Sequence, residues 1–199
     1  MADTGAPHFI PFAEPTDLVR DWPALSEDVA DAVADGLSAA GGLVAVKSAI
    51  FAGQQTASVT GSGNIAVNDI EITHEVADAS NKLIISAFIG TLADTTQLAN
   101  VGIAVHDGTG LIAVGPADGA RTRVTASARM SAGFGSVVAF SPSVTFVHTP
   151  GAGSKTYTVR AINVSGDTQT IFINRFESDD DNALRSRPVS SLVIQEVKV

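Results

Sequence analysis

Glu177, Asp179, Asp180 and Asp181 put four carboxylates within five positions, the densest set of potential metal-binding or acid–base groups in the chain. A calcium loop of the helix–loop–helix type needs acids at alternate positions, a central glycine and a distal glutamate. Here the three aspartates are adjacent, and no glycine follows them. Adjacent side chains on extended backbone point to opposite sides, so these aspartates cannot all grip one ion. The pattern predicts a solvated loop between the last two strands. Arg185 and Arg187 stand ready to bridge back to it or to reach a neighbouring subunit. Exposed pairs of that kind contribute about 0–1 kcal/mol each.

The other chemical candidates are scattered. His8, His74, His106 and His148 are far apart, and no histidine pair stands at metal-ligand spacing. The absence of cysteine removes thiol catalysis and cysteine-based zinc sites. Gly61-Ser62-Gly63 is a truncated form of the nucleophile-elbow motif, with no helical pattern after it. Asp107-Gly108-Thr109-Gly110 lacks the lysine and helix of a phosphate loop and reads as a tight turn between strands. The expectation is no catalytic residue, no metal and no cofactor.

The elements that carry these residues fall into three parts. Residues 1–16 form an arm in which Pro7, Pro11 and Pro15 block helix and favour extended backbone. Phe9, Ile10 and Phe12 give it more apolar bulk than a disordered tail carries. It either folds onto its own domain or docks into another protein, with a reach of about 50 Å when extended. Residues 17–42 contain the single convincing helix pattern and a Gly41-Gly42 linker. Pro23 suits its first turn, and Leu25, Val29, Val33 and Leu37 make one apolar stripe opposite Asp28, Asp31 and Asp35. A helix this short must pack on something, either its own domain or its copies in a small bundle.

Residues 43–199 read as all-β. Candidate strands are 43–50, 55–60, 65–75, 82–91, 98–106, 111–115, 121–129, 137–147, 155–164, 168–176 and 190–198, separated by Gly, Pro, Asn and Asp turn signals. That spacing fits an antiparallel β-sandwich of jelly-roll type. Within residues 82–90, Leu83, Ile85, Ala87 and Ile89 make one apolar face, while Ile84 and Phe88 make a second. Sandwich strands usually keep one wet face, so Ile84 and Phe88 need a cover, either the helix or a neighbouring subunit. The mean hydropathy of +0.24 also points to an oligomer. Phe140, Phe146, Tyr157, Phe172 and Phe176 are expected in strands as core residues.

At 199 residues one principal domain is expected. No apolar run reaches the roughly 20 residues of a helical membrane span, and the first residues do not form a secretory signal. The net charge is −9, with eight acids and one base in residues 1–40 and thirteen acids and eleven bases in residues 41–199. Such a chain repels a phosphate backbone, which disfavours nucleic acid as a partner. The acidic front suits either solvent or a basic partner.

The closing segment INRFESDDDNALRSRPVSSLVIQEV (residues 173–197) resembles the end of a family of bacteriophage fibre and tail-associated proteins. The matching residues are Ile173, Asn174, Arg175, Asp181, Asn182, Arg187, Ser190, Ser191 and Glu196. DGTGLIAVGPADGARTRVTA (107–126) resembles the family's Asp-Gly-Thr turn and Arg-Thr-Arg segment. SVTFVHTPGAGSKTYTVRA (143–161) resembles its Pro-Gly hairpin and Thr-Tyr-X-Val strand. FAEPTDLVRDWPALSEDVADAVADGL (12–37) is similar to anchor segments of phage appendage proteins. Phe176 and Pro188 depart from the pattern.

The resemblance implies a tumour-necrosis-factor-like jelly roll preceded by an extended arm and one short α-helix. It further implies a homotrimer, exposed on a virion after assembly in the host cytoplasm, and it does not imply catalysis. Phe9, Ile10, Phe12 and Trp22 would anchor it to a capsid or tail protein. Leu25, Val29, Val33, Leu37, Ile84 and Phe88 would pack the helix or the trimer. Asp107, Thr109, Asp179, Asp180, Asp181 and Asn182 are candidate ligand-loop residues toward a host surface polysaccharide.

Overall fold

The computed structural model describes residues 42–94, 100–129, 139–176 and 186–199. The expected arm and helix, and the acidic run from Glu177 to Asn182, lie outside the described residues.

Thirteen strands make up the described chain: β1 (Leu43–Phe51), β2 (Gln55–Val59), β3 (Asn64–Val76), β4 (Lys82–Phe88), β5 (Leu92–Asp94), β6 (Asn100–His106), β7 (Leu111–Ile112), β8 (Ala126–Arg129), β9 (Ala139–Phe140), β10 (Ser143–His148), β11 (Gly153–Asn163), β12 (Gln169–Ile173) and β13 (Ser190–Val197). They form three sheets of order β1-β13-β4-β10, β3-β11-β6-β7 and β2-β12-β5-β9, with β8 also paired to β6. Every pairing is antiparallel. The first two sheets face each other, with β1 and β13 packed against β3. The result is an all-β, sandwich-like architecture with no helix among the described residues.

Alternation along each strand builds the core. Leu83, Ile85 and Ala87 of β4 point inward with Leu192 and Ile194 of β13, and meet Ile70 and Ile72 of β3, Val159 and Ala161 of β11, and Val101, Ile103 and Val105 of β6. Each Val, Leu or Ile side chain among them, fully buried, contributes about 1.5–3 kcal/mol. In β3 the alternation slips: Val67 and Ile70, three residues apart, both point inward. A bulge makes this possible, marked by a register shift opposite Thr158–Arg160 and a positive φ of 54° at Asp69, a conformation aspartate tolerates.

Several sequence boundaries move, each for a local reason. The expected strand 82–91 ends at Phe88, where the Ile89 amide turns to donate to the Pro142 carbonyl. The chain is tightest there at Gly90, whose missing Cβ would stand 2.5 Å from the Val189 carbonyl oxygen and 2.6 Å from Pro188 Cβ. Pro188 therefore packs against a position that only glycine fills. The expected strand 137–147 is divided at Ser141-Pro142, because proline has no amide to donate. Phe176 lies beyond β12, which ends at Ile173. The Pro150-Gly151 turn does not make a hairpin: β10 pairs with β4, β11 pairs with β3 and β6, and the turn carries the chain from one sheet to the other.

Candidate functional site

Two features of this sandwich stand apart from its apolar core, and both follow from strand register. The first is a polar layer between the sheets at one end. Glu196 of β13 lies opposite Leu83 of β4, which lies opposite His148 of β10. In the facing sheet, His74 of β3 lies opposite Lys155 of β11, and Tyr157 follows two residues on. Asp107 comes immediately after β6. Sequence-distant polar residues thus occupy one layer.

Glu196 is 1% exposed and His74 is 3% exposed. The Glu196 Oε2 atom is 2.8 Å from His74 Nε2. A carboxylate can only accept, so Nε2 carries the proton it donates. Oε1 accepts from Asn81 Nδ2 at 2.6 Å and from the Ala77 amide at 3.1 Å. Asp78 closes the same turn by accepting from the Ser80 amide and hydroxyl, each at 2.8 Å. Glu196 therefore pins the β3–β4 connection to the last strand and joins the two sheets. Burial pushes its carboxyl upward, but the hydrogen bonds from Asn81, His74 and Ala77 outweigh that and hold it below its ordinary value.

Asp107 performs a similar task on its own loop. Its Oδ1 accepts from the Thr109 hydroxyl at 2.6 Å, the Thr109 amide at 2.9 Å and the Gly110 amide at 3.0 Å. Gly108 supplies a φ of 90° and donates its amide to His106 Nδ1 at 3.0 Å. Burial opposes the charge on Asp107; the Thr109 and Gly110 hydrogen bonds and the Lys155 charge bring its carboxyl down to about 2. Tyr157 is completely buried, its ring edge-on to His148 at 6.1 Å between centroids. Burial and the Asp107 charge push its phenol up to about 12. Burial, aided by Lys155 and opposed by Asp107, lowers His148. The Tyr157 hydroxyl and His148 Nε2 have no hydrogen-bond partner among the described residues.

Each of these shifts moves its group away from neutral pH. The layer is built to hold loops and strands in place. Among the described residues, no three His, Asp or Glu side chains are grouped to hold a metal.

The second feature is the outer face of the β1-β13-β4-β10 sheet. Register aligns Val46, Gln195, Ile84 and Val147 in one row across it, Ser48, Val193, Ser86 and Thr145 in the next, and Ile50, Ser191, Phe88 and Ser143 in a third. Leu43, Val46, Ile50 and Val147 are each more than half exposed, and Phe88 is 37% exposed. Val46, Ile84 and Val147 in the first row and Ile50 and Phe88 in the third flank a row of mostly small hydroxyl side chains.

The expected site residues divide accordingly. Ile84 and Phe88 lie together on this outer face, half-buried and exposed respectively. Asp107 and Thr109 lie in the β6–β7 turn, bonded to each other. Phe9, Ile10, Phe12, Trp22, Leu25, Val29, Val33, Leu37, Asp179, Asp180, Asp181 and Asn182 lie outside the described residues. Sequence reading missed the Glu196–His74–Asn81 clasp, whose partners are 122 and 115 residues apart. The available signal was a glutamate at an inward-facing position of the alternating pattern in β13.

No family model matches the chain, and no curated protein matches it. Among solved structures, one of the infectious bursal disease virus Gx strain is similar to this chain, with a TM-score of 0.36 and 10% sequence identity. The match covers 77% of this chain and 40% of that one, so the chain spans less than half the length of its structural neighbour. A likeness of that strength carries no argument about fold or function.

Proposed function

We propose that the chain is a virion structural protein: a short homotrimeric fibre or spike on a bacteriophage capsid or tail, anchored through residues 1–16 and contributing to attachment at a host surface polysaccharide. The observation that carries this reading is the path of the chain. From β3 to β4, β4 to β6, β10 to β11 and β11 to β13, the main strands alternate between the β3-β11-β6 sheet and the β1-β13-β4-β10 sheet. Such repeated crossing is the habit of a jelly roll. The three segments that resemble phage fibre proteins fall on β7 and the start of β8, on β10–β11, and from the end of β12 through β13 of this framework.

Attachment would be surface recognition without catalysis. Three weak sites on one trimer gain avidity through effective concentration. Loops at the ends of a rigid sandwich are the natural contact surfaces, and the Asp107–Gly110 turn, held by its own hydrogen bonds, is one such rigid tip. Asp179, Asp180, Asp181 and Asn182 belong to the other candidate loop. The alternative is a capsid-decorating or adaptor protein that anchors another fibre, favoured by the apolar arm.

Light scattering tests the trimer: a species near 61 kDa, three chains of 20.3 kDa, is expected, and a clean 20.3 kDa species removes the trimer. Glycan-array binding separates attachment from decoration. Binding is expected for the first, and its absence alongside loss of particle incorporation on deleting residues 1–16 selects the second.

A further inference from the structure

We infer that the outer face of the β1-β13-β4-β10 sheet is the docking surface for the apolar stripe of the same chain's residues 24–40, which run directly into it. Four observations converge. The face is apolar where a sandwich sheet is ordinarily wet, with Leu43, Val46, Ile50, Phe88 and Val147 all exposed. The chain reaches it at a fixed point: β1 begins at Leu43, and the Lys198 amide donates to the Gly42 carbonyl at 3.0 Å, tying the entry to the end of β13. Only Gly41 and Gly42 separate β1 from the amphipathic segment, and helix-to-strand connections of two residues are ordinary. The dimensions also agree. The stripe Leu25–Val29–Val33–Leu37 would extend about 18 Å along a helix, and a row across the four strands spans about 14 Å.

The surface chemistry suits a helix. The middle row, Ser48, Val193, Ser86 and Thr145, is small, so it forms a shallow trough between Val46, Ile84 and Val147 on one side and Ile50 and Phe88 on the other. A helix lying in the trough would set its stripe on Val46, Ile84, Ile50 and Phe88 and turn Asp28, Asp31 and Asp35 to solvent. No Asp or Glu stands in the three aligned rows to oppose an acidic helix. The inference does not rest on the virion reading. It commits to the chain's own helix as the cover; a second copy on this face is the competing occupant.

The natural chain has no cysteine, which makes a direct test clean. Full-length Val33→Cys/Ile84→Cys and the control Asp31→Cys/Ile84→Cys are treated with a short bis-maleimide over a dilution series. The products are then sized and their linked peptides identified by mass spectrometry. The expected result is a link within one 20.3 kDa chain, with a yield independent of dilution and several-fold higher for the Val33 pair than for the Asp31 pair. Links between chains, at multiples of that mass and fading on dilution, overturn the inference in favour of a second copy. Equal yields from both pairs, or no link, overturn it outright. The substituted positions are a half-buried outer-face residue and two residues beyond the described ones, and unchanged circular dichroism verifies folding.

Discussion

The sandwich departs from the usual apolar-inside, polar-outside pattern in two places, and the two departures are resolved differently. Between the sheets, it buries Glu196, His74, Asn81 and Asp107 where apolar side chains are the rule. Outside the β1-β13-β4-β10 sheet, it exposes Val46, Ile50, Phe88 and Val147 where polar side chains are the rule. In the facing sheet, strand β3 keeps the ordinary arrangement. There Glu71, Thr73 and Glu75 face out, and Thr73 and Thr156 join hydroxyls at 3.0 Å. Within the buried polar layer the Glu196 and Asp107 carboxylates are met by hydrogen bonds from the described chain. The exposed apolar side chains have no such cover there, and the cover proposed for them is the chain's own residues 24–40. A buried polar cluster that is satisfied locally specifies one register; an apolar face left open specifies an encounter.

The largest expected effect comes from breaking the internal balance. Glu196→Ala leaves Asn81 Nδ2, the Ala77 amide and His74 Nε2 buried without their acceptor. Removing one partner from such a buried charged cluster costs about 3–5 kcal/mol, which is read as a fall in the urea midpoint. A loss below about 1 kcal/mol would mean that the cluster does not tie the two sheets together.

Asp107 gives the next effect and has a defined sign. Its folded pKa is depressed from 3.8 to about 2. Its stabilisation is therefore fully present above pH 4 and is lost as pH falls toward 2, amounting to about 2 kcal/mol. Glu196 is also depressed, so it adds to the same acid-side loss. Asp107→Asn should lower stability at pH 7 by about 2 kcal/mol and flatten the acid limb, as measured by denaturant midpoints between pH 2 and 7.

On the outer face the comparison can be sharpened with matched polar substitutions. Ile84→Ser in the full chain should cost about 1–2 kcal/mol if the face is covered, because it removes buried methyl and methylene groups. Glu71→Ser, on the wet face of the other sheet, should stay within about 0.5 kcal/mol. Equal small effects would mean that Ile84 remains in water.

How much of this was legible in the chain depends on range. β1, β3, β11 and β13 were visible because their alternation is local: the expected 43–50, 65–75, 155–164 and 190–198 differ from the observed ends by two residues at most. The two apolar faces of β4 were likewise readable. The sheet change at Pro150-Gly151 was not, because a turn signal says that the chain reverses and is silent on which strand receives it. The clasp was not either. Glu196 reads as an ordinary polar residue of an edge-like strand until β3 brings His74 across the sandwich. The end of β4 at Phe88 depended on Gly90 meeting Pro188 and Val189, a contact about 100 residues long in sequence.

The smallest effect concerns Tyr157, where the polar layer itself is incompletely balanced. Its ring is fully buried and its hydroxyl has no partner among the described residues, although it is in the same layer as Asp107. A buried hydroxyl without a partner is a cost to the folded state. Tyr157→Phe keeps the ring's packing and its edge contact with His148 and removes that cost, so stability should stay level or rise by up to about 1 kcal/mol. Tyr157 is the only tyrosine in the chain, so its phenolate absorbance reports this one site. Its folded pKa, pushed from 10.0 to about 12, means that stability present below pH 10 is lost as pH rises toward 12. In rapid pH jumps that precede unfolding, native protein should ionise near the higher value. Asp107→Asn should lower that value by removing the negative charge beside the phenol. If Tyr157→Phe instead destabilises the fold by 1 kcal/mol or more, the hydroxyl is donating within the layer, and the polar end is fully balanced by its own groups.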